Sequence, residues 1–199
     1  MDYGGVISEH RTPEAVAVLA SAGARVAGDD PALVTARYWE HRREYDRGTL
    51  DDARYWSEVA GGPVSSDDPR LAELVDLDVR GWARTRERSV ATVLELAGQG
   101  RPLALLSNTP VPHGEWMLAQ PWAGAFATHV FSCRRGVVKP EAAIFEHTLV
   151  ALGCRPDEAV LVDDRAENVA GARAVGIGAV HFEGKHSWDE VRSLLVPSG

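Results

Sequence analysis

Four short stretches carry residue types that can do chemistry together. Asp2-Tyr3-Gly4-Gly5-Val6 places a carboxylate at the start of a glycine turn. Such a carboxylate can attack phosphorus and form an aspartyl-phosphate, and the glycines let backbone groups approach a substrate closely. In "LALLSNTP" an apolar run ends in Ser107 and Asn108, a hydroxyl and an amide able to hold phosphate oxygens. Lys139, in "RRGVVKPEAAIFEHTL", precedes Pro140, which suits a first helical position; an ammonium at the positive end of a helix calls for an anion nearby. "AVLVDDRAENVAGARAVG" ends another apolar run in Asp163 and Asp164, with Asn168 following, and paired carboxylates suit a hard cation such as Mg²⁺. Each stretch also has a plain structural reading. These are a strand-to-turn Asp-x-Gly, a helix cap at Ser107, Asn108 or Thr109, a solvated lysine, and a helix cap at Asp164.

The elements that must position these residues alternate in type. Strand-like runs "RPLALLS", "ATHVFSC", "EAVLVDD" and "GIGAVHF" are separated by helix-like stretches near 85–97, 113–119, 140–152, 166–175 and 187–195. Alternating βα units predict a parallel sheet covered by helices, with a ligand site at the carboxyl ends of the strands, where the polar clusters fall. Residues 9–83 read differently, as a helical insert without strands. Thr12-Pro13 and Asp30-Pro31 each supply an N-cap and a first-turn proline, and Thr49 with Asp52 resembles a capping box. "GGPVSSDDPR" is the loop by which the chain leaves the insert. The expected organisation is an α/β core of residues 1–8 and 84–199 with a helical domain, 9–83, inserted into it. Tyr38, Trp39, His41, Arg42, Arg43, Tyr55 and Trp56 of the insert either line a pocket or form a packed seam and a solvated face.

With 29 acidic against 21 basic residues and a formal charge of -8, nucleic acid and anionic membrane are not the expected partners. A phosphate-handling protein of this charge needs local cations or a metal. Two cysteines, Cys133 and Cys154, without CxxC spacing, and no leader-like start predict a reduced, cytoplasmic setting. No apolar run approaches the roughly 20 residues of a membrane span. The oligomeric state is left open.

In order and setting, the four clusters resemble the motifs of the haloacid dehalogenase superfamily, in particular members with a helical cap inserted after the first motif. The resemblance covers nearly the whole chain and is carried by "LLSNTP", "VVKPEAAIFEHTL" and "LVDDRAENVAGARAVG". It implies a Rossmannoid parallel sheet, Asp2 as nucleophile, Ser107 and Lys139 as catalytic partners, and Gly4, Gly5, Ser107 and Asn108 around the substrate. It further implies Mg²⁺ held by Asp2, the Gly4 carbonyl and Asp164, with Asp163 as a second ligand or a support, and a small phosphorylated substrate hydrolysed through a phospho-aspartate.

Two departures accompany the resemblance. Gly4 stands where the commonest phosphatase pattern has a second Asp as general acid and base, an arrangement shared with sugar-phosphate phosphatases; His10 or Glu9 at the cap hinge are the substitutes on offer. The family's central first strand is truncated to Met1-Asp2-Tyr3, so a start upstream is the expectation. The competing readings are a 2-haloacid dehalogenase, against which Asp163 beside Asp164 argues, and a weakly active or non-catalytic binding protein of the same fold.

Overall fold

The computed structural model describes residues 1–184 and 186–195. Helices α1 (Pro13–Ala27), α2 (Pro31–Arg47), α3 (Asp52–Ala60) and α4 (Pro69–Trp82) come first. Thr12 and Asp30 cap α1 and α2 as expected, their side chains accepting from Ala15 N and Ala32 N. The capping box does not form. Asp51 caps α3 instead, two residues nearer the helix, and Thr49 bonds back to Glu44 at the end of α2. The four helices close around Leu19, Val34, Tyr38, Tyr45, Tyr55, Trp56 and Leu74, so Tyr38, Tyr55 and Trp56 belong to this seam.

After α5 (Glu87–Gly98) the chain alternates: β1 (Ala104–Ser107), α6 (Val111–Leu118), β2 (Thr128–Phe131), α7 (Ala142–Leu152), β3 (Val160–Asp163), α8 (Ala166–Ala174), β4 (Gly178–His181) and α9 (Ser187–Leu195). The strands are shorter than the apolar runs that announced them. Flanking residues such as Leu103 and Phe182 are buried core contacts that lie at the ladder ends, Ala127 N donating to Leu103 O at 2.8 Å and Phe182 N donating to Asp163 O at 2.9 Å. α7 begins two residues after Pro140, with Glu141 as its N-cap, so Lys139 does not abut a helix start.

β1 pairs parallel with β2, and β3 with β4. Met1 and Asp2 join the two pairs. The Met1 amine donates to Ala104 O at 2.8 Å, Leu106 N donates to Met1 O at 2.9 Å, and Asp2 N donates to Val162 O at 2.9 Å. The order across the molecule is therefore β2, β1, Met1-Asp2, β3, β4. Beside Met1, the starts of β1 and β3 part around an apolar cavity of about 180 Å³, lined also by Phe145 and Leu149 of α7. The chain leaves this core and returns to it side by side. Ser8 and Thr85 form an antiparallel bridge, flanked by Glu9 N donating to Arg84 O at 2.8 Å and Arg86 N donating to Ile7 O at 2.7 Å.

Candidate active site

Asp2, Ser107 and Asp163 each stand at the carboxyl end of an extended segment, and parallel pairing sets those ends side by side. Asp2, Asp163 and Asp164 each offer an oxygen within 4.8 Å of the others. Lys139 lies between two of them, its Nζ 2.8 Å from Asp2 Oδ1 and 2.6 Å from Asp163 Oδ2. Its backbone is fixed by Asn108, whose Oδ1 accepts from Lys139 N at 2.7 Å and whose Nδ2 donates to Lys139 O at 2.9 Å. Both ends of the Asn108 amide are thus taken by the main chain that carries the lysine.

The three carboxylates differ in what they have left to offer. Asp163 is wholly buried and saturated: Lys139 bonds Oδ2, while Arg165 N and Asn168 Nδ2 bond Oδ1 at 3.0 and 2.9 Å. Asp2 Oδ1 accepts from Tyr3 N at 2.7 Å and meets Lys139, which leaves Oδ2 without a partner among the described residues. Asp164 has one side-chain partner among those residues, His10 Nε2 at 3.5 Å. The Gly4 carbonyl and the Ser107 hydroxyl accept and donate no hydrogen bond within the same set. Gly5 lies behind this surface with its carbonyl accepting from Arg86 Nε at 3.2 Å. Its φ of +70° and the Asp164 carboxylate, which stands where a Cβ would project, both require glycine.

Charge in this cluster is unbalanced. Burial, opposed by Lys139 and reinforced by Asp163, pushes the Asp2 carboxyl up to about 7. Burial and Asp163 also raise Asp164. Burial works against the Lys139 ammonium, but Asp2 and Asp163 outweigh it and its pKa is raised. The Met1 amine, lowered to about 5 by burial and by Lys139, adds no positive charge at neutral pH. One ammonium faces three carboxylates.

These groups open into a cleft of about 680 Å³ between the sheet ends and the helical insert. Trp39, Arg42 and Arg43 of α2 line it, as do Trp82 and His10. Sequence reasoning missed a buried polar cluster behind its lining. Asp78 of α4, buried, accepts from Tyr38 Oη at 2.8 Å and from Arg11 Nη1 at 3.2 Å, with Arg42 Nη1 3.4 Å from its other oxygen. His113 of α6 stands 3.4 Å from the same carboxylate, and neither ring nitrogen has a hydrogen bond. Burial drives His113 down to about 4, so it is neutral at physiological pH. Only the amphipathic pattern of α4, broken by a charge at an inward position, could have pointed to Asp78.

A parallel α/β sheet with acids converging on a lysine at its strand ends, and a helical insert beside them, defines a hydrolase of a known kind. The chain belongs to the haloacid dehalogenase-like hydrolase family, whose sequence pattern matches residues 2–176. It is 30% identical over 157 residues to a sesquiterpene phosphatase of Aspergillus oryzae, a match spanning 69% of this chain and 76% of that protein. It is 28% identical over 131 residues to a phosphoglycolate phosphatase of Pectobacterium atrosepticum, 65% of this chain and 54% of that protein. The fold matches a family enzyme of Bacteroides thetaiotaomicron, solved with magnesium and inorganic phosphate, at a TM-score of 0.75 and 18% identity over 96% of each chain. It also matches the L-2-haloacid dehalogenase of Xanthobacter autotrophicus at a TM-score of 0.62 and 20% identity, over 98% of this chain and 82% of that one.

Proposed function

We propose that this hydrolase is a phosphomonoesterase in which Asp2 is the nucleophile and Mg²⁺ is bound by Asp2, Asp164 and the Gly4 carbonyl. The observation that carries the reading is the clustering of three carboxylates around one ammonium, Asp2, Asp163 and Asp164 each offering an oxygen within 4.8 Å of the others beside Lys139; burial, reinforced by the neighbouring acids, raises Asp2 and Asp164. A divalent cation restores the balance. The free donors, Asp2 Oδ2, one side of Asp164 and the Gly4 carbonyl, are the hard oxygens Mg²⁺ prefers. Bound there, the cation supplies Lewis-acid stabilisation of phosphoryl oxygens. The same balance weighs against the dehalogenase reading, since three acids without a cation repel an anionic haloacid. The phosphatase relatives, and the magnesium and phosphate of the Bacteroides enzyme, lend support from outside the chain.

In this reading the Asp2 carboxylate attacks phosphorus, the ester P–O bond breaks, and the leaving group departs as an alkoxide or phenolate that takes its proton from solvent. Water then attacks phosphorus in the phospho-aspartate, releasing phosphate and regenerating the carboxylate. Lys139, held by Asn108, and the Ser107 hydroxyl neutralise charge on the transferring group. Residues 9–83 act as a cap that encloses the leaving group. The test is hydrolysis of p-nitrophenyl phosphate. Activity should require Mg²⁺ and fall more than about 10³-fold in Asp2→Asn. Undiminished turnover in EDTA would remove the metal, and an active Asp2→Asn the nucleophile.

A further inference from the structure

The cleft extends well beyond the phosphoryl site, and the cations along it already have carboxylate partners. Arg42 is bonded to Asp46 at 2.7 Å and lies against Asp78. Arg43 meets Glu141 at 3.0 Å, a carboxylate it shares with Arg47, which also has Glu44 at 3.9 Å; Arg165 meets Glu167 at 2.5 Å, and Lys139 is held between Asp2 and Asp163. His113 is neutral, and His10 lies against Asp164. Arg165 is the most exposed of the lining arginines, with a side-chain exposure of 64%. If it turned to a ligand carboxylate it would leave Glu167 unpaired in the same cleft, exchanging one ion pair for another with no net gain. The remaining walls are aromatic. Trp39 is 54% exposed, a large apolar side chain left open to the cleft. Trp82 stands over the nucleophile loop, its Cζ3 3.8 Å from where a Gly4 Cβ would be. Arg11, whose charge is neutralised by Asp78, fills the space behind Tyr38, Trp39 and Trp82 and holds those rings in place.

We infer that the enzyme selects phosphate esters whose leaving group is uncharged and apolar, seated against Trp39 and Trp82, and discriminates against esters that carry a second anion such as a carboxylate. The physical reason is asymmetric. A carboxylate brought into this cleft loses hydration and finds no unmatched cation, whereas an apolar group loses little and covers indole surface. The inference rests on the phosphomonoesterase reading for the position of the phosphoryl group, but its test does not depend on turnover.

The probes are benzylphosphonate and 4-carboxybenzylphosphonate, which share size and the non-hydrolysable phosphoryl group and differ by one carboxylate. Titration calorimetry with Mg²⁺ present should show the neutral ligand binding at least tenfold more tightly. Trp39→Ala should weaken the neutral ligand several-fold and the charged one less. Glu167→Gln, which frees Arg165, should raise the affinity of the charged ligand several-fold and leave the neutral one unchanged. Equal affinities in the parent, or tighter binding of the carboxylate, would overturn the inference, as would a Glu167→Gln variant with undiminished discrimination. Hydrolysis of p-nitrophenyl phosphate in the same samples reports separately on the enzymatic reading. Ordered binding without turnover would sink that reading and leave the selectivity standing.

Discussion

Asp163 and Asp164 are adjacent in the chain and differ in nearly everything else. Asp163 is buried, with Lys139, Arg165 N and Asn168 bonded to its oxygens. Asp164 is partly exposed and touches His10. A neutral amide at 163 leaves Lys139 as a poorly compensated buried charge, a loss of about 3–5 kcal/mol, so Asp163→Asn should lower Tm sharply. Asp164→Asn should leave Tm nearly unchanged and raise the Mg²⁺ concentration needed for half-maximal turnover by tenfold or more. Thermal melts and metal titrations of both variants check the division, and an exchange of the two phenotypes would reverse the assignment. Gly4 offers a second prediction at this scale. With no acid where the departing oxygen takes its proton, activated leaving groups should be preferred, and kcat/KM should fall steeply as the leaving-group pKa rises. A Cβ at Gly4 meets no atom closer than Trp82 Cζ3 at 3.8 Å, so Gly4→Asp should fit and flatten that slope. A flat dependence in the parent would show that another residue, His10 first, already donates the proton.

At the scale of elements, the seam between α4, α2 and α6 is organised by Asp78, faced by Arg11, Arg42, Tyr38 and His113. His113 is lowered from 6.5 to about 4 by burial, and the neighbouring arginines add to that push while Asp78 opposes it. Between those two values the unfolded chain binds a proton that the folded chain refuses, so stability falls as pH drops through the window and is fully present above it. The depression corresponds to about 3 kcal/mol. The stability difference between the parent and His113→Gln, from denaturant melts, should shift by about that amount between the two ends of the window. A constant difference would place His113 in the same ionisation state, folded or unfolded. Of this seam, Tyr38 and Arg42 were legible as pocket or seam candidates, and Arg11, Asp78 and His113 were not. Arg11, Asp78 and His113 lie far apart in the chain, and their meeting depends on how two helices cross. By contrast Ser107, Lys139 and the Asp163-Asp164 pair were legible because each ends or follows an apolar run whose direction a parallel sheet fixes, and Asp2 was legible through the resemblance of its Asp-x-Gly turn to the family's first motif. The helix expected at Pro140 starts two residues later, at Ala142, after an extended Glu141 whose carboxylate gives the helix no cap and accepts instead from Arg43 and Arg47 of α2.

Across the whole molecule, the helical insert rests on the core through few polar contacts. Arg47 and Arg43 meet Glu141, Arg47 Nη1 donates to Gly136 O at 3.1 Å, and the buried Ser132 hydroxyl donates to Asp46 O. The Arg47–Glu141 pair, at 21% and 34% side-chain exposure, is open enough to be screened by salt. If this pair helps to hold the insert over the substrate, Glu141→Gln should raise KM several-fold with little change in kcat. The gap between variant and parent should narrow toward about 0.5 M salt, where screening weakens the parent's own pair. A gap that persists at high salt would assign Glu141 a role other than this clasp.

The bridge between Ser8 and Thr85 has a consequence for how such a protein can change over evolutionary time. Because the chain departs and returns at paired neighbouring residues, everything between them is a closed excursion whose length the sheet does not sense. Recombination at those two points exchanges one helical insert for another, or for a short turn, without shifting the register of Asp2, Ser107, Lys139 or Asp164. If the insert selects the leaving group, as proposed, substrate preference and bond-breaking are heritable as separate parcels, and a lineage can explore new leaving groups by replacing the insert while the chemistry beneath it stays fixed.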